Sequence, residues 1–336
     1  MRYLGRRLLA MIPALFGVLI CVFLLTRVLP GDPARTLAGE QADPETVQRI
    51  RDQMGLDKPL WSQFVTYLSG VFHGDLGTAW HTGRPVLADL ASRFPATVEL
   101  ALVALVIALV LGIPLGIISA VHRGRWVDHL GRIIGLTGAS MPLFWLGMLV
   151  IYVFYFLLDV APAPVGRLGD SINPPTHVTG LYLVDSLLSG DTVAFGSAAN
   201  HIIWPALVLS TGALAMFSRM TRSAMLEILG QDYVRTAVSK GLRPRSVIGK
   251  HSLKNAAPPV LTVVGLELGQ LLAGAVLTET IFTWPGIGSY ITQSILATDY
   301  APIQAFTLLA AVLYLVINLA VDLAQAAIDP RIRHAR

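Results

Sequence analysis

Charged residues are scarce in this chain of 336 residues. Lys, Arg, Asp and Glu together make up 14% of it, whereas a soluble domain usually carries roughly 25%. Hydrophobic residues reach 54% and the mean hydropathy is +0.63, so too little polar surface is available to cover soluble domains of this length. The composition excludes a disordered protein, a nucleic-acid-binding protein with a basic surface and an ordinary cytosolic enzyme. It predicts a polytopic membrane protein.

Cysteine is nearly absent, and so are the residue spacings of several common sites. Cys21 is the one cysteine, which excludes an internal disulfide and a cysteine-based metal site. The eight histidines show neither H-x3-H nor H-E-x-x-H spacing, so we predict no metal site. No G-x-S-x-G sequence offers a nucleophile, and no G-x-x-x-x-G-K-[ST] sequence offers a P-loop. We therefore predict that the chain is not an enzyme and that it does not hydrolyse ATP through a P-loop.

Apolar runs of about 20 residues, the length that crosses a hydrocarbon core of ~30 Å, recur along the chain. They predict six transmembrane helices, at residues 8–26, 100–121, 133–158, 202–218, 260–281 and 303–321. The first run could be mistaken for a signal peptide, because three arginines precede it. We interpret it as a retained helix, since it is too long for a signal h-region and no small-residue cleavage pattern follows it.

Positive charges are distributed unevenly between these runs. The N-terminus, the 122–132 loop and the C-terminus carry three Lys or Arg each, and the 219–259 segment carries eight. The 159–201 loop has one cation and the 282–302 loop has none. Because cytoplasmic loops are enriched in Lys and Arg, we predict that both termini are cytoplasmic and that three loops are external. The long 27–99 segment carries seven cations, but long loops are translocated largely regardless of charge.

This topology divides the chain into predicted regions. They are an N-terminal tail with the first helix (1–26), an external loop (27–99), a core of five helices (100–323) with a cytoplasmic segment inside it (219–259), and a basic cytoplasmic tail (324–336). In the first external loop, Asp43 followed by Pro44 predicts a capped helix, and apolar spacing over 61–71 predicts an amphipathic one. These helices could lie on the outer membrane surface or pack against another protein. The 159–201 loop is either a lid over the outer mouth or a passive connector.

The cytoplasmic segment contains a short helix bounded by glycines. We predict one helix that ends at Gly230 and a second over 233–240, with Asp232 as its N-cap and Gly241 in the left-handed conformation at its C-terminal end. Such a helix has few apolar partners in its own chain, which favours docking into another protein. The alternative is that the cations anchor the loop to anionic lipid, which explains the charge but not the glycine-bounded helix.

The sequence QDYVRTAVSKGL at 231–242 resembles the EAA loop of ABC importer permeases, which forms a coupling helix that seats in a cleft of the ATPase subunit. Other motifs resemble the peptide/nickel branch of that family: VLPGDP (28–33), GLDKP (55–59), HGDLG (73–77), MTRSAMLEILG (220–230), HSLKNA (251–256), TETIFTWPGIG (278–288) and DPRIR (329–333). They run from end to end, so the resemblance covers the whole chain and is close to dipeptide permeases. Gln231 departs from the usual Glu, and Val238 stands where a second Ala is expected.

The resemblance implies an all-α, polytopic type I importer permease fold with six transmembrane helices in a bacterial inner membrane. It implies half of a heterodimeric pore for dipeptides or short peptides, beside a second permease. Two partner ATPases would bind ATP and Mg²⁺, no cofactor would lie in this chain, and a periplasmic binding protein would deliver the substrate. Residues implied to dock against the ATPase are Gln231, Asp232, Tyr233, Arg235, Thr236, Ala237, Lys240, Gly241 and Leu242.

Two kinds of alternative to this function remain open at the sequence level. Within the same family, the cargo could be an oligopeptide, nickel, glutathione or a haem-related compound. In a different class, the chain could be a self-contained secondary transporter or channel. Such transporters usually show internal repeats and charged coupling residues inside the membrane, and the sequence offers no clear repeat.

Two sets of residues are predicted to act within the membrane. Small residues four positions apart let helix backbones approach closely in lipid; they are Gly112, Gly116, Ala120, Gly265, Gly269 and Ala273. Glu267 is a carboxylate in mid-span, where an unpaired charge is costly, so we expect it to face the pathway, with an inter-subunit hydrogen bond as the alternative. The pathway-lining candidates are Glu267, Gln270, Leu271 and Gly274. We expect Glu279, near the outer end of the span, at the membrane interface.

Overall fold

The computed structural model of the chain describes residues 2–28, 32–39 and 41–328. Its regular elements are α-helices and two π-helical segments. The α-helices are α1 (Arg2–Val28), α2 (Pro33–Ala38), α3 (Pro44–Gln53), α4 (Leu60–His73), α5 (Val86–Val121), α6 (Trp126–Ser140), α7 (Leu143–Val150), α8 (Tyr182–Ser189), α9 (Thr192–Leu229), α10 (Asp232–Ser239), α11 (Pro244–Ser246), α12 (Lys254–Ile281), α13 (Ile287–Leu296) and α14 (Tyr300–Ile328). The π-helical segments are Ile151–Leu157, after α7, and Val247–Leu253, before α12. The matched motif at 329–333 and residues 29–31 of the motif at 28–33 lie outside the described residues.

Within the described residues, four helices are long and apolar enough to cross a membrane. They are Val86–Val121, Thr192–Leu229, Pro244–Ile281 and Tyr300–Val321. Shorter apolar helices, Met11–Leu24 and Leu143–Leu157, lie at the positions of the other two predicted spans. At 1.5 Å per residue, a helix of 38 residues extends about 57 Å, so α9 is much longer than the hydrocarbon core requires. The count of six crossings and the cytoplasmic termini stay predictions.

The third predicted span, 133–158, was expected as one continuous helix, and this is wrong. The chain leaves α6 at Met141, whose backbone is extended (ψ 132°), and enters α7 after Pro142. Proline has no N–H to donate and disfavours the helical conformation of the residue before it. Hydropathy alone does not register this effect, because both residues are apolar enough to continue the run.

The chain divides into two compact units, Met1–Pro95 with Pro285–Leu315 and Ala96–Trp284 with Val316–Arg336. In the first unit the predicted helix after Asp43 is confirmed, because the Asp43 carboxylate accepts a hydrogen bond of 2.6 Å from the Thr46 N–H. Hydrogen bonds from Thr46 lower the pKa of Asp43. The predicted amphipathic helix is α4, and its Phe64 ring contacts Phe23 of α1 with centroids 5.2 Å apart.

A buried carboxylate also organises the first unit. Asp299 accepts hydrogen bonds from the Trp80 N–H at 2.6 Å and from His81 Nδ1 at 2.9 Å. Around these residues lies a small core that consists of Ala79, Val86, Leu90, Ile287, Tyr290 and Ala305. These contacts hold the loop before α5 against the segment that contains α13.

The second unit has a core formed mainly by α5, α9 and α12. Its buried side chains include Leu100, Ala104, Ala108, Ile202, Leu209, Phe217, Val263, Leu271, Ala275 and Trp284. Alanine is frequent among them, which allows the helices to pack closely. Trp284 donates a hydrogen bond of 3.0 Å from Nε1 to the Ala96 carbonyl and so closes one end of this core.

Three of the predicted small residues lie where a Cβ would clash with a neighbouring helix in the second unit. A Cβ on Gly112 would lie 2.8 Å from the Leu214 carbonyl oxygen, and a Cβ on Gly116 would lie 2.6 Å from that of Ser218. On Gly265 it would lie 1.8 Å from Cγ2 of Val321. The other three are placed less uniformly: Ala120 is buried, Gly269 is half-buried and Ala273 is exposed on this chain. Close approach therefore explains the pattern in α5 better than in the second half of the α12 repeat.

Candidate functional site

The short cytoplasmic helix predicted over 233–240 is present as α10, Asp232–Ser239. The N-cap position is occupied by Gln231, whose backbone is extended (φ −76°, ψ 148°) and whose side chain makes no capping hydrogen bond. Asp232 was predicted as the cap, and this is wrong by one position. As the first helical residue, Asp232 instead places its negative charge near the positive end of the helix dipole.

The C-terminal end of α10 has the predicted glycine geometry. Gly241 adopts φ +75°, the left-handed conformation that glycine takes without steric cost. The Gly241 N–H bonds the Val238 carbonyl at 2.9 Å, and the Leu242 N–H bonds the Ala237 carbonyl at 3.3 Å. These two hydrogen bonds form a Schellman motif. The helix before it ends at Leu229, but Gly230 is right-handed (φ −79°) and so imposes no glycine requirement.

The inner face of α10 packs on its own chain. Val234 and Ala237 are buried and form a small cluster with Val247. Ala237 is one of the residues that the resemblance implies for docking, and its side chain points inward, onto its own chain. Its small size therefore serves the packing of α10 against the π-helical segment Val247–Leu253.

The outer face of α10 and the turn after it are open. Exposed residues include Gln231, Asp232, Arg235, Thr236, Val238, Lys240, Gly241 and Leu242. Val238 is 60% exposed and Leu242 is 42% exposed, so an apolar patch lies among charged residues. Arg235 pairs with Asp232 across 3.7 Å at the surface. An apolar centre with a charged rim is typical of protein interfaces.

Tyr233 links α10 to the segment that leads into α12. Its hydroxyl accepts a hydrogen bond of 2.9 Å from the Asn255 side chain, which also bonds the His251 carbonyl at 3.0 Å. The tyrosine is 43% exposed, so it can reach a partner while holding this contact. The resemblance implied that Tyr233 docks against an ATPase, but sequence reasoning gave no sign of the bond to Asn255, 22 residues away.

The four predicted pathway residues do not lie on one exposed face of α12. Leu271 is 4% exposed and belongs to the hydrophobic core. Glu267 is 9% exposed, and Gly274 is half-buried, with its Cβ position 3.6 Å from Cδ1 of Leu209. Gln270 alone of the four is exposed. An exposed stripe of α12 contains Leu266, Gln270, Ala273 and Leu277, which lie on one face of the helix.

Glu279 was expected near the membrane interface, and the structure shows that it makes its contacts inside the chain. Its side chain is fully buried in the second unit. Thr97 donates a hydrogen bond of 2.5 Å from its hydroxyl to the Glu279 carboxylate. The contact joins the start of the core part of α5 to the end of α12, so Glu279 has a structural role inside the unit.

Sequence reasoning missed a buried ion pair that fixes the 159–201 loop. Arg167 places Nη2 at 2.5 Å from Glu99 Oε2 and 2.9 Å from the Gly180 carbonyl. The Leu183 N–H bonds the other Glu99 oxygen at 2.7 Å, and the Arg167 guanidinium lies 3.5 Å from the Tyr182 ring centroid. The available signal was that Arg167 is the one cation in this loop. The loop is therefore anchored, in contrast to a loosely held connector.

A second carboxylate organises the same loop. Asp185 accepts hydrogen bonds from the Thr179 N–H at 2.8 Å, from the Thr179 hydroxyl at 2.7 Å and from the Gly180 N–H at 2.9 Å. Burial alone raises the pKa of Asp185, but these hydrogen bonds outweigh it and the pKa is lowered. The carboxylate is therefore ionised at neutral pH and holds the chain that enters α8.

Two family models match the chain. Residues 112–334 match the model described as binding-protein-dependent transport system inner membrane component. Residues 1–101 match the model for the N-terminal part of the membrane component of such systems. The N-terminal match ends at residue 101 and the other begins at residue 112, both within α5.

Curated relatives match along nearly the whole chain. The chain is 50% identical over 329 residues to the probable D,D-dipeptide transport system permease protein DdpB of Escherichia coli K12, covering 98% of this chain and 96% of the relative. It is 42% identical over 339 residues to the dipeptide transport system permease protein DppB of the same strain, and the match covers both chains completely.

A solved structure shares the fold. A chain of the MetNI methionine ABC transporter, in an inward-facing conformation, matches with a TM-score of 0.51 and 18% sequence identity. The match covers 70% of the present chain and 93% of the other. At this identity the likeness concerns the fold alone.

Proposed function

The chain belongs to the family of binding-protein-dependent transport system inner membrane components, and on that premise we propose that it forms half of the translocation pore of an importer for dipeptides. It is a membrane transport subunit and not an enzyme. The observation that carries the proposal is the exposed, Schellman-terminated helix α10, which presents an apolar patch with a charged rim. This patch is the surface that we propose for docking against a partner ATPase.

The energy source is proposed to lie in other chains. The sequence contains no P-loop motif, so ATP and Mg²⁺ would bind to two ATPase subunits beneath the pore. A second permease of the same family would complete a heterodimer, and a periplasmic binding protein would deliver the cargo. In this arrangement six spans cross a bacterial inner membrane, with both termini and α10 on the cytoplasmic side, consistent with the excess of Lys and Arg there.

The proposed pathway surface is the exposed face of α12. Of the four pathway candidates, Gln270 stays in the proposal because its side chain is exposed. Leu271 is removed from it, because it is part of the hydrophobic core. Ala273 and Leu277 join Gln270 on the exposed face, and a small residue beside an amide leaves room for a short peptide.

Two cargo classes are favoured by the relatives. The relative with 42% identity is named for dipeptides and the one with 50% identity for D,D-dipeptides. The stereochemistry of the peptide is therefore the sharpest question about the cargo. Uptake of labelled L-Ala-L-Ala and D-Ala-D-Ala by cells with and without the gene tests it, with a labelled amino acid as the control for general permeability.

Purification of the full-length chain with an affinity tag decides between an ATP-driven importer subunit and a secondary transporter. We expect an ATPase and a second permease to copurify, and uptake in proteoliposomes to require ATP inside and binding protein outside. Uptake by the chain alone, driven by a proton or sodium gradient, would instead identify a secondary transporter and overturn the proposal. A tagged unrelated membrane protein serves as the control for adventitious ATPases.

A further inference from the structure

A cavity of about 260 Å³ lies between α5, α6 and α9 in the second unit. Three of its lining residues are arginines, Arg132 from α6 and Arg219 and Arg222 from α9. Arg219 and Arg222 are three positions apart, so they lie on one face of their helix. Three arginines that line one cavity make it a candidate anion-binding site, because arginine pairs readily with planar or tetrahedral oxyanions.

One carboxylate lies within this group and fixes part of it. Asp128 accepts two hydrogen bonds from Arg222, at 2.8 Å and 2.9 Å, and its other neighbour Arg132 is 3.8 Å away. The Arg222 hydrogen bond holds the pKa of Asp128 well below its usual range, so this carboxylate stays ionised. Arg219 also interacts electrostatically with Glu267, which does not line the cavity, so the three guanidiniums outnumber the neighbouring carboxylates and leave positive charge around the cavity.

The cavity is open because the residues opposite the arginines are small. A Cβ on Gly135 would meet no atom within 4 Å, so this glycine faces free space. Gly131 lies against the hydroxyl of Ser119, where a Cβ would be only 2.4 Å from Oγ. The glycines therefore let α5 and α6 meet on one side and leave room for an occupant on the other.

We propose that this cavity binds a phosphate group, either the headgroup phosphate of an anionic phospholipid or free phosphate. The excess of positive charge around the cavity attracts the single negative charge of a phosphodiester headgroup as well as free phosphate, and the volume exceeds that of the group itself. The cavity lies beside the 122–132 loop and the start of the 219–259 segment, which are predicted to be cytoplasmic. Basic pockets between membrane helices on that side are suited to anionic headgroups.

Binding is measured with the full-length chain and its copurifying subunits in neutral detergent. The probes are dioctanoyl-phosphatidylglycerol, dioctanoyl-phosphatidylcholine and inorganic phosphate, and the readout is the unfolding temperature as each probe is titrated. We expect a saturable rise with phosphatidylglycerol and little with phosphatidylcholine. If inorganic phosphate saturates with the same effect, the occupant is free phosphate, whereas a response to the lipid alone identifies a headgroup.

Two kinds of variant test the location of the site. Arg219→Gln removes an exposed cation that makes no ion pair with Asp128, and we expect about tenfold weaker binding, as for the loss of one charge-assisted hydrogen bond. Gly135→Leu fills the free space and should weaken binding by a similar factor. The matched controls are Arg123→Gln, an exposed cation of the 122–132 loop that does not line the cavity, and Gly196→Leu, whose Cβ also meets no atom within 4 Å.

The proposal is overturned if none of the probes binds saturably, or if phosphatidylcholine binds as tightly as phosphatidylglycerol. It is also overturned if Arg219→Gln binds as tightly as the parent protein. Arg219 is exposed, so this variant is expected to fold even if Gly135→Leu does not. The measurement involves no transport, so its outcome is independent of the proposed importer function.

Discussion

Two connections in the second unit differ in where their polar groups point. Between the π-helical segment after α7 and the start of α9, the groups point inward: Arg167 pairs with Glu99 and both side chains are less than a tenth exposed. Between α9 and α12 they point outward, and the Arg235–Asp232 pair is 74% and 98% exposed. The predicted external connection contributes its cation to a buried ion pair, whereas the predicted cytoplasmic one leaves its ion pair open to solvent or a partner.

Buried and exposed ion pairs have different roles. A buried pair must be complete, because an uncompensated charge in a site of low dielectric constant is costly. An exposed pair contributes little to stability, but it can shape recognition of a partner. We therefore expect substitutions in the first connection to affect folding, and substitutions in the second to affect assembly and coupling.

The largest expected effect follows from breaking the inward pair. Arg167→Met leaves Glu99 buried without its cation, and we expect a loss of about 3–5 kcal/mol of unfolding free energy. Chemical unfolding of the purified protein in detergent measures it. The double variant Arg167→Met/Glu99→Gln should recover most of the loss, since the introduced amide oxygen still accepts the Leu183 N–H and no charge is stranded. Arg235→Met, at the exposed pair, is the control and should change the unfolding free energy little.

That comparison fails if Arg167→Met and Arg235→Met have equally small effects. Such a result would mean that the buried ion pair contributes nothing that solvent does not replace. The anchoring of the 159–201 loop would then depend on Asp185 and its hydrogen bonds to Thr179 and Gly180. Loss of stability only in Asp185→Asn would identify that alternative.

A smaller effect is expected at the glycine that ends α10. Gly241→Ala places a Cβ at φ +75°, which costs about 1–2 kcal/mol, and the helix end should fray or tilt. Gly230→Ala is the matched control, because Gly230 is right-handed and its Cβ would lie 3.4 Å from the nearest atom, in ordinary contact. We expect substrate-stimulated ATP hydrolysis by the reconstituted complex to fall in Gly241→Ala only. Equal stimulation in both variants would show that α10 does not couple ATP hydrolysis to transport of the substrate.

The fold was largely predictable from local patterns, and its exceptions have identifiable causes. Apolar runs located the long helices, and Asp43 and Gly241 marked helix ends, because capping depends on neighbouring residues. The break at Met141 was missed because hydropathy does not count backbone donors, although Pro142 was visible. The start of α9 at Thr192 was also missed, although the Asp191 carboxylate accepts a hydrogen bond of 2.9 Å from the Ala194 N–H.

The candidate site was predictable only in part, since its remaining features depend on contacts between distant residues. The direction of Ala237 is set by Val247, and the burial of Leu271 is set by the core of α5 and α9. Arg167 and Glu99 are 68 residues apart, so no spacing rule joins them. Local sequence thus predicts where an element begins and ends, but which face is buried depends on the neighbours.

The smallest expected effect on stability, and the sharpest on function, concerns the outer face of α10. Val238→Lys changes a side chain that is 60% exposed. A cation near the C-terminal end of a helix is favourable, so we expect no loss of stability. A lysine in the apolar centre of the proposed docking patch would need to be desolvated on binding, so ATPase copurification should fall. Val178→Lys, 61% exposed in the other connection, is the matched control and should leave copurification unchanged. Wild-type copurification of Val238→Lys would place the docking surface elsewhere, whereas equal loss in both variants would point to a general effect of added charge.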